Sequence, residues 1–164
     1  MPTTSTERPA RVGRRQILMG GAAWLVGAAA MAKTSPPAKV AIQVWKGPTC
    51  GCCKDWISYL EANGFQAQVH DAGNTDARER LGVDIKYGSC HTALVGSYAI
   101  EGHVPAREIR RLLKERPNAI GLAVPAMPVG SPGMDGPDYG GRKDPYDVLL
   151  LAKDGSSRVF QTYR

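Results

Sequence analysis

Three of the four cysteines in this chain fall within four positions, Cys50, Cys52 and Cys53, and the fourth, Cys90, stands alone. Four cysteines are too few to staple a scaffold of 164 residues, so their crowding points to chemistry. Cys50 and Cys53 form a C-x-x-C pair. A thiol at the start of a helix meets unpaired N–H groups and the positive end of the helix dipole, which favour thiolate over thiol. A second thiol one turn inside is close enough to close a small disulfide ring. In that setting Cys50 can attack and Cys53 resolve, the arrangement of thioredoxin-like redox proteins. A structural disulfide is the plainer alternative, and Cys53 also suits a buried thiol.

Redox exchange needs two sulfurs, and Cys52 supplies a third. Adjacent side chains at a helix start point about 100° apart. Cys52 and Cys53 are therefore poorly placed to chelate one ion and better placed to bridge several soft ones. Thiolate and thioether donors select Cu(I), while four thiolates also suit a structural Zn(II). Met127 and Met134 tilt the balance toward copper, because a thioether is a poor zinc ligand. Gap-filling is their other role. Cys90 is either a fourth sulfur for the same site or a core cysteine. His103 is a ligand or a cap beside the helix that Pro105 opens. His91 abuts Cys90, yet strand alternation can turn it away. His70 is expected at the surface and Trp56 in the core, with Trp45 beside the site.

The elements that must position these groups follow from spacing. Residues 40–46 read as a strand, broken by Gly47-Pro48-Thr49. Cys53, Trp56, Ile57 and Leu60 make an amphipathic helix that Asn63-Gly64 ends. A strand is predicted over 65–70, a polar helix over 74–81 capped by Asn74 or Thr75, and an irregular stretch over 83–89. Strands over 91–96 and 98–101 form a hairpin, followed by a helix over 105–116 with Ile109, Leu112 and Leu113 inward. In place of the cis-proline that thioredoxins set before their third strand stands Ser89-Cys90-His91-Thr92. The segment 124–145 holds five prolines and five glycines in 22 residues, which rules out a regular element. Strands over 148–152 and 158–163 then flank an Asp154-Gly155 turn. The order β-α-β-α-β-β-α predicts an α/β domain with a thioredoxin-like mixed sheet, flanking helices and a C-terminal Pro/Gly-rich extension ending in a β-hairpin. The domain is expected over 40–116, with 117–164 packed on it as the extension.

Hydrophobic residues make up 43% of the chain and charged residues 22%, the balance of a globular protein with one core. The formal charge of +6 is uneven: residues 1–32 carry four arginines against one glutamate. No basic stripe interleaved with aromatics occurs elsewhere, which argues against nucleic acid as a partner. Arg14-Arg15, followed by a Gly/Ala-rich apolar run, resembles a twin-arginine export signal, with a general secretory signal as the alternative. Ala30-Met31-Ala32 has the small-x-small form of a cleavage site, so the mature protein is expected to start at Lys33, with a linker over 33–39. The apolar run of 16 residues is short for a permanent span. A periplasmic protein follows.

Four stretches carry a resemblance to a known family. They are Gly47-Pro48-Thr49-Cys50-Gly51-Cys52-Cys53, Gly88-Ser89-Cys90-His91-Thr92-Ala93, Glu101-Gly102-His103-Val104-Pro105, and the run from Gly121 through Pro125-Ala126-Met127 to Met134. In this order they resemble the CopG family of bacterial copper-resistance proteins, over roughly residues 40–164. Ala126 stands where glycine is commoner. The resemblance implies a thioredoxin-like domain with a C-terminal extension, a polynuclear copper cluster bridged by cysteine sulfurs, and copper redox handling in the periplasm. Carried over by position, the metal set is Cys50, Cys52, Cys53 and Cys90, with His103, Met127 and Met134 at further motif positions. The expected partners are copper ions and copper efflux or redox proteins, and the expected state is a monomer. The competing reading is a periplasmic thiol–disulfide oxidoreductase in which Cys50 and Cys53 are catalytic.

Overall fold

The first strand, β1 (Val40–Lys46), buries Ile42, Val44 and Lys46 and turns Ala41 and Gln43 outward, the period-2 pattern of a strand covered on one face. Residues 38–164 are the ones this computed structural model describes; the expected export signal over 1–32 and most of the linker over 33–39 lie outside them. Helix α1 (Gly51–Ala62) buries Cys53, Trp56, Ile57 and Leu60, the stripe that the spacing predicts. It ends at Asn63, and Gly64 supplies the positive φ of 80° that lets the chain turn back. Strand β2 (Phe65–His70) pairs parallel to β1.

Helix α2 (Thr75–Arg80) and a 3-10 turn at Ile85–Tyr87 lead to β3 (His91–Val95), which runs antiparallel to β1 and forms a hairpin with β4 (Tyr98–Glu101). Helix α3 (Ala106–Glu115) follows, with Ile109 and Leu112 buried and Leu113 only partly so. Strand β5 (Gly121–Ala123), unforeseen in the sequence, pairs parallel to β4. It is three residues long, too short for periodicity to announce. Gly121 is what permits it, because any side chain there would collide with the Ala99 backbone. Between β5 and β6 (Tyr146–Leu151) the only regular feature is a 3-10 turn at Pro137–Tyr139. Strand β7 (Ser157–Tyr163) closes the hairpin around Asp154-Gly155, with an irregularity in register between Val148 and Leu149.

The seven strands form one mixed sheet in the order β2-β1-β3-β4-β5-β6-β7. The sheet, its helices and the terminal hairpin are the architecture expected, with residues beyond 117 extending it through β4. Ile100, Leu122 and Leu150 point into the main core with Trp56, Leu60, Ile109 and Leu112, while their neighbours Ala99, Ala123 and Leu151 join Val83 and Tyr87 in a smaller second cluster. No helix among the described residues is long and apolar enough to cross a membrane.

Candidate metal centre

Sheet register creates the site. Lys46 at the end of β1 pairs with His91 at the start of β3, which sets the turn into α1 beside the segment that carries Cys90. In that turn the Cys50 amide donates to the Gly47 carbonyl at 3.2 Å. The buried Lys46 ammonium ties the turn down, donating to the Gly47 carbonyl and to Asp71. Cys50 is the N-cap of α1, its side chain makes no capping bond, and no acidic residue occupies the first helical turn. The positive end of the helix therefore faces the sulfurs without a carboxylate to neutralise it.

Cys50 and Cys53 are joined as a disulfide, with Cα atoms 5.4 Å apart. Cys53 is fully buried, whereas Cys52 and Cys90 are partly exposed free thiols. Cys52 Sγ lies 3.6 Å from Cys50 Sγ and 3.9 Å from Cys90 Sγ, and Cys53 Sγ lies 3.6 Å from the Cys90 carbonyl oxygen. All four sulfurs lie within 4.8 Å of one another. Burial, together with the nearby Cys52, pushes the Cys90 thiol up to about 12, so it carries its proton at neutral pH.

A second group meets at Cys90. The sulfur, His91 and His103 also bring their donor atoms within 4.8 Å. His103 is buried, and its Nδ1 is 2.8 Å from the Pro132 carbonyl, which can only accept, so Nδ1 carries the hydrogen. Burial lowers its pKa and keeps the ring neutral. Nε2 is then a bare lone pair 3.1 Å from Cys90 Sγ, and it accepts the thiol hydrogen. His91 is turned inward: its ring lies 4.2 Å from that of Trp56 and 5.0 Å from that of His103. Its Nδ1 is 3.4 Å from Cys90 Sγ, while the buried Nε2 has no hydrogen-bonding partner. Burial, then the proximity of His103, pushes its pKa well down. Trp56 is held in turn by its Nε1–H, which donates to the Val104 carbonyl at 2.9 Å.

The fold has solved counterparts. The chain is 46% identical to a structure titled "Copper resistance protein copG- Form 2", covering 77% of this chain and 99% of that one, with a TM-score of 0.71. The chain belongs to the CopG family. A second structure, "Copper resistance protein copG- Form 1", shares 47% identity over 76% of this chain and 98% of that one, with a TM-score of 0.70. The family model described as "Protein of unknown function, DUF411" matches residues 87–134, which in this CopG-family chain contain Cys90, His91, His103 and the segment up to Met134. No curated protein matches.

The loop that carries the two methionines reaches the site at one end. Gly133, at φ 82°, sits so close that a side chain there would come within 2.7 Å of the Cys52 carbonyl and 2.6 Å of the Trp56 nitrogen. Met134 beside it is 9% exposed, and its Sδ accepts from the Tyr139 hydroxyl at 3.3 Å. Met127 is 46% exposed and lines a surface pocket with Pro125, Pro128, Tyr146 and Leu149 that contains none of the four cysteines.

Two local expectations need correction, and one alternative left open is decided. Asn74 does not cap α2 with its side chain; it reaches across to the Ser89 carbonyl and the Thr92 hydroxyl, each at 3.2 Å. His70 is half-buried, stacked on Trp45 at 5.0 Å, and Arg80 lies over the same indole at 5.2 Å. His91, which strand alternation could have turned away, lies against Cys90. Only its adjacency to Cys90 could have signalled that in the sequence.

Proposed function

We propose that this chain is an exported, periplasmic copper-binding protein. In its reduced form Cys50, Cys52, Cys53 and Cys90 hold Cu(I) as bridging thiolates. The observation that carries this reading is the meeting of four sulfurs from two distant segments within 4.8 Å. The donor chemistry fits: soft thiolates prefer Cu(I), and His103 offers an unprotonated Nε2 whose orientation the Pro132 carbonyl fixes. Met134 is a further soft donor at the edge of the set, and Met127 marks the outer part of the same loop. Several bridging sulfurs and the spread of donors favour a polynuclear cluster. The similar structures titled as copper-resistance proteins support copper over zinc.

A role in interconverting copper oxidation states fits the same residues. When the Cys50 and Cys53 thiols close to a disulfide they release two protons and two electrons, enough to reduce two Cu(II) to two Cu(I). The two free thiols stay behind to hold the product. The oxidoreductase reading, in which copper plays no part and Cys50 and Cys53 exchange disulfides with a protein, is favoured by the disulfide at the start of α1. Metal analysis of protein reduced and purified without oxygen separates these readings. Stoichiometric copper is expected; stoichiometric zinc, or no metal, overturns the proposal.

A further inference from the structure

Three side chains that touch no sulfur converge on the residues beside Cys90. Glu101, on β4, is fully buried and uses both carboxylate oxygens. Its Oε1 accepts from the Ser89 amide at 2.7 Å and from Arg78 Nε at 2.9 Å, and its Oε2 accepts from the Thr92 hydroxyl at 2.6 Å. Arg78, buried on α2, completes the ion pair through Nη2 at 2.8 Å and donates from the same group to the Ser89 carbonyl at 2.7 Å. Asn74 adds its amide to the Ser89 carbonyl and the Thr92 hydroxyl. The Ser89 hydroxyl donates to the Ala126 carbonyl. Ser89 is thus held at its amide, its carbonyl and its side chain, and Thr92 at its hydroxyl.

Stability alone is a poor reason for this arrangement. Removing two charges from water offsets most of their attraction, and apolar side chains of similar volume often serve a fold as well or better. What the pair does supply is direction: each side-chain hydrogen bond it makes outside the pair goes to Ser89 or Thr92. The chain enters β3 here through Ser89-Cys90-His91-Thr92, with no proline to preset the backbone. We infer that Arg78 and Glu101 are positioning residues for Cys90. By clamping the Ser89 backbone before it and the Thr92 hydroxyl after it, they hold its sulfur 3.9 Å from Cys52 and 3.1 Å from His103 Nε2. The consequence for copper rests on the function proposed above; the placement of the sulfur does not.

The test compares the full chain with its R78M/E101L variant, which replaces the ion pair by apolar groups. In the metal-free disulfide form only Cys52 and Cys90 are free thiols. At a pH high enough for both thiols to react, the yield of a short bifunctional thiol cross-linker, normalised to single-site alkylation of each cysteine, therefore reports the distance between them without any metal. The expected result is a several-fold lower cross-link yield with the circular dichroism spectrum retained. Cu(I) affinity, measured by chelator competition, should fall about tenfold or more. Thr92→Val and Glu101→Gln, each removing less of the clamp, should show smaller losses in both readouts, and they decide the matter if the double variant does not fold. Wild-type cross-linking in the folded variants overturns the inference. If the unaltered chain binds no Cu(I), the copper reading fails while the cross-link yields still judge the positioning role.

Discussion

Cys52 and Cys90 are 38 positions apart in the chain, and their sulfurs lie 3.9 Å apart. No local turn can do this. The antiparallel pairing of β1 with β3 brings the mouth of α1 beside the start of β3, so the contact depends on sheet register. A slip of one residue would turn every β3 side chain to the other face.

Replacing Cys52 with serine distinguishes a cluster from a dithiol enzyme. The Cys50–Cys53 disulfide does not involve Cys52, so it should still form, as mass spectrometry of the alkylated protein would show. Under the proposed function Cu(I) affinity should drop about tenfold or more, because one of four thiolate donors is lost. Undiminished copper retention would return the site to the oxidoreductase reading.

Copper uptake should depend on pH in a defined direction. Burial keeps the Cys90 thiol protonated, with its value pushed up to about 12. Binding as thiolate therefore releases a proton, and Cu(I) affinity should rise with pH, up to about tenfold per pH unit for each proton displaced. Chelator competition between about pH 6 and 8 reads the slope directly. In Cys90→Ser the slope should be shallower by about one proton.

Acid should destabilise the metal-free fold. Burial lowers the folded-state pKa of both His91 and His103 from the ordinary 6.5. Below that pH the unfolded chain gains protons that the folded chain refuses. Stability is thus intact above about pH 6.5 and falls as pH drops toward the folded-state values, by up to about 2.7 kcal/mol per pH unit for two sites. Glu101 works in the opposite sense, since burial raises its folded-state value. Denaturant titrations of wild type and His91→Phe cancel that shared contribution. The variant should lose about half of the histidine-dependent slope.

Gly133→Ala should loosen the loop from α1. The new methyl would press on the Cys52 carbonyl and the Trp56 backbone from a left-handed conformation. A loss of about 1–3 kcal/mol is expected by thermal unfolding. Copper affinity should fall with it, because Pro132, whose carbonyl holds His103, is the adjacent residue.

The two methionines should separate. Met134→Leu keeps the buried volume and removes the thioether that follows Gly133, so under the proposed function Cu(I) affinity should fall several-fold. Met127 is 46% exposed, and Met127→Leu should change affinity less. Equal losses in chelator competition would place both thioethers in the set.

Much of this was legible because it is local. Helix α1 announces itself through Cys53, Trp56, Ile57 and Leu60, and the last hairpin through Asp154-Gly155. The four cysteines were visible as residues, and the α-β order suggested where they meet. Strand β5 was not legible, since three residues carry no period and its cause, the bare Gly121 against Ala99, exists only across strands. The Arg78–Glu101 clamp was hidden for a similar reason: each partner reads as a surface charge until α2 and β4 meet. Asn74 matched a helix cap by type, but its Nδ2 donates to Ser89 and Thr92 and its Oδ1 accepts no cap bond. Ala126 was noticeable as a place where glycine is commoner, and its φ of 61° is the backbone reason.

The added strands also alter how copies of the molecule can meet. With β5, β6 and β7 laid beside β4, the open borders of the sheet are β2 and β7, and neither carries a cysteine. Edge-to-edge joining of two molecules through backbone hydrogen bonds would therefore add no sulfur from a neighbour along the seam. In such a pair the thiols of each chain would stay clear of the seam.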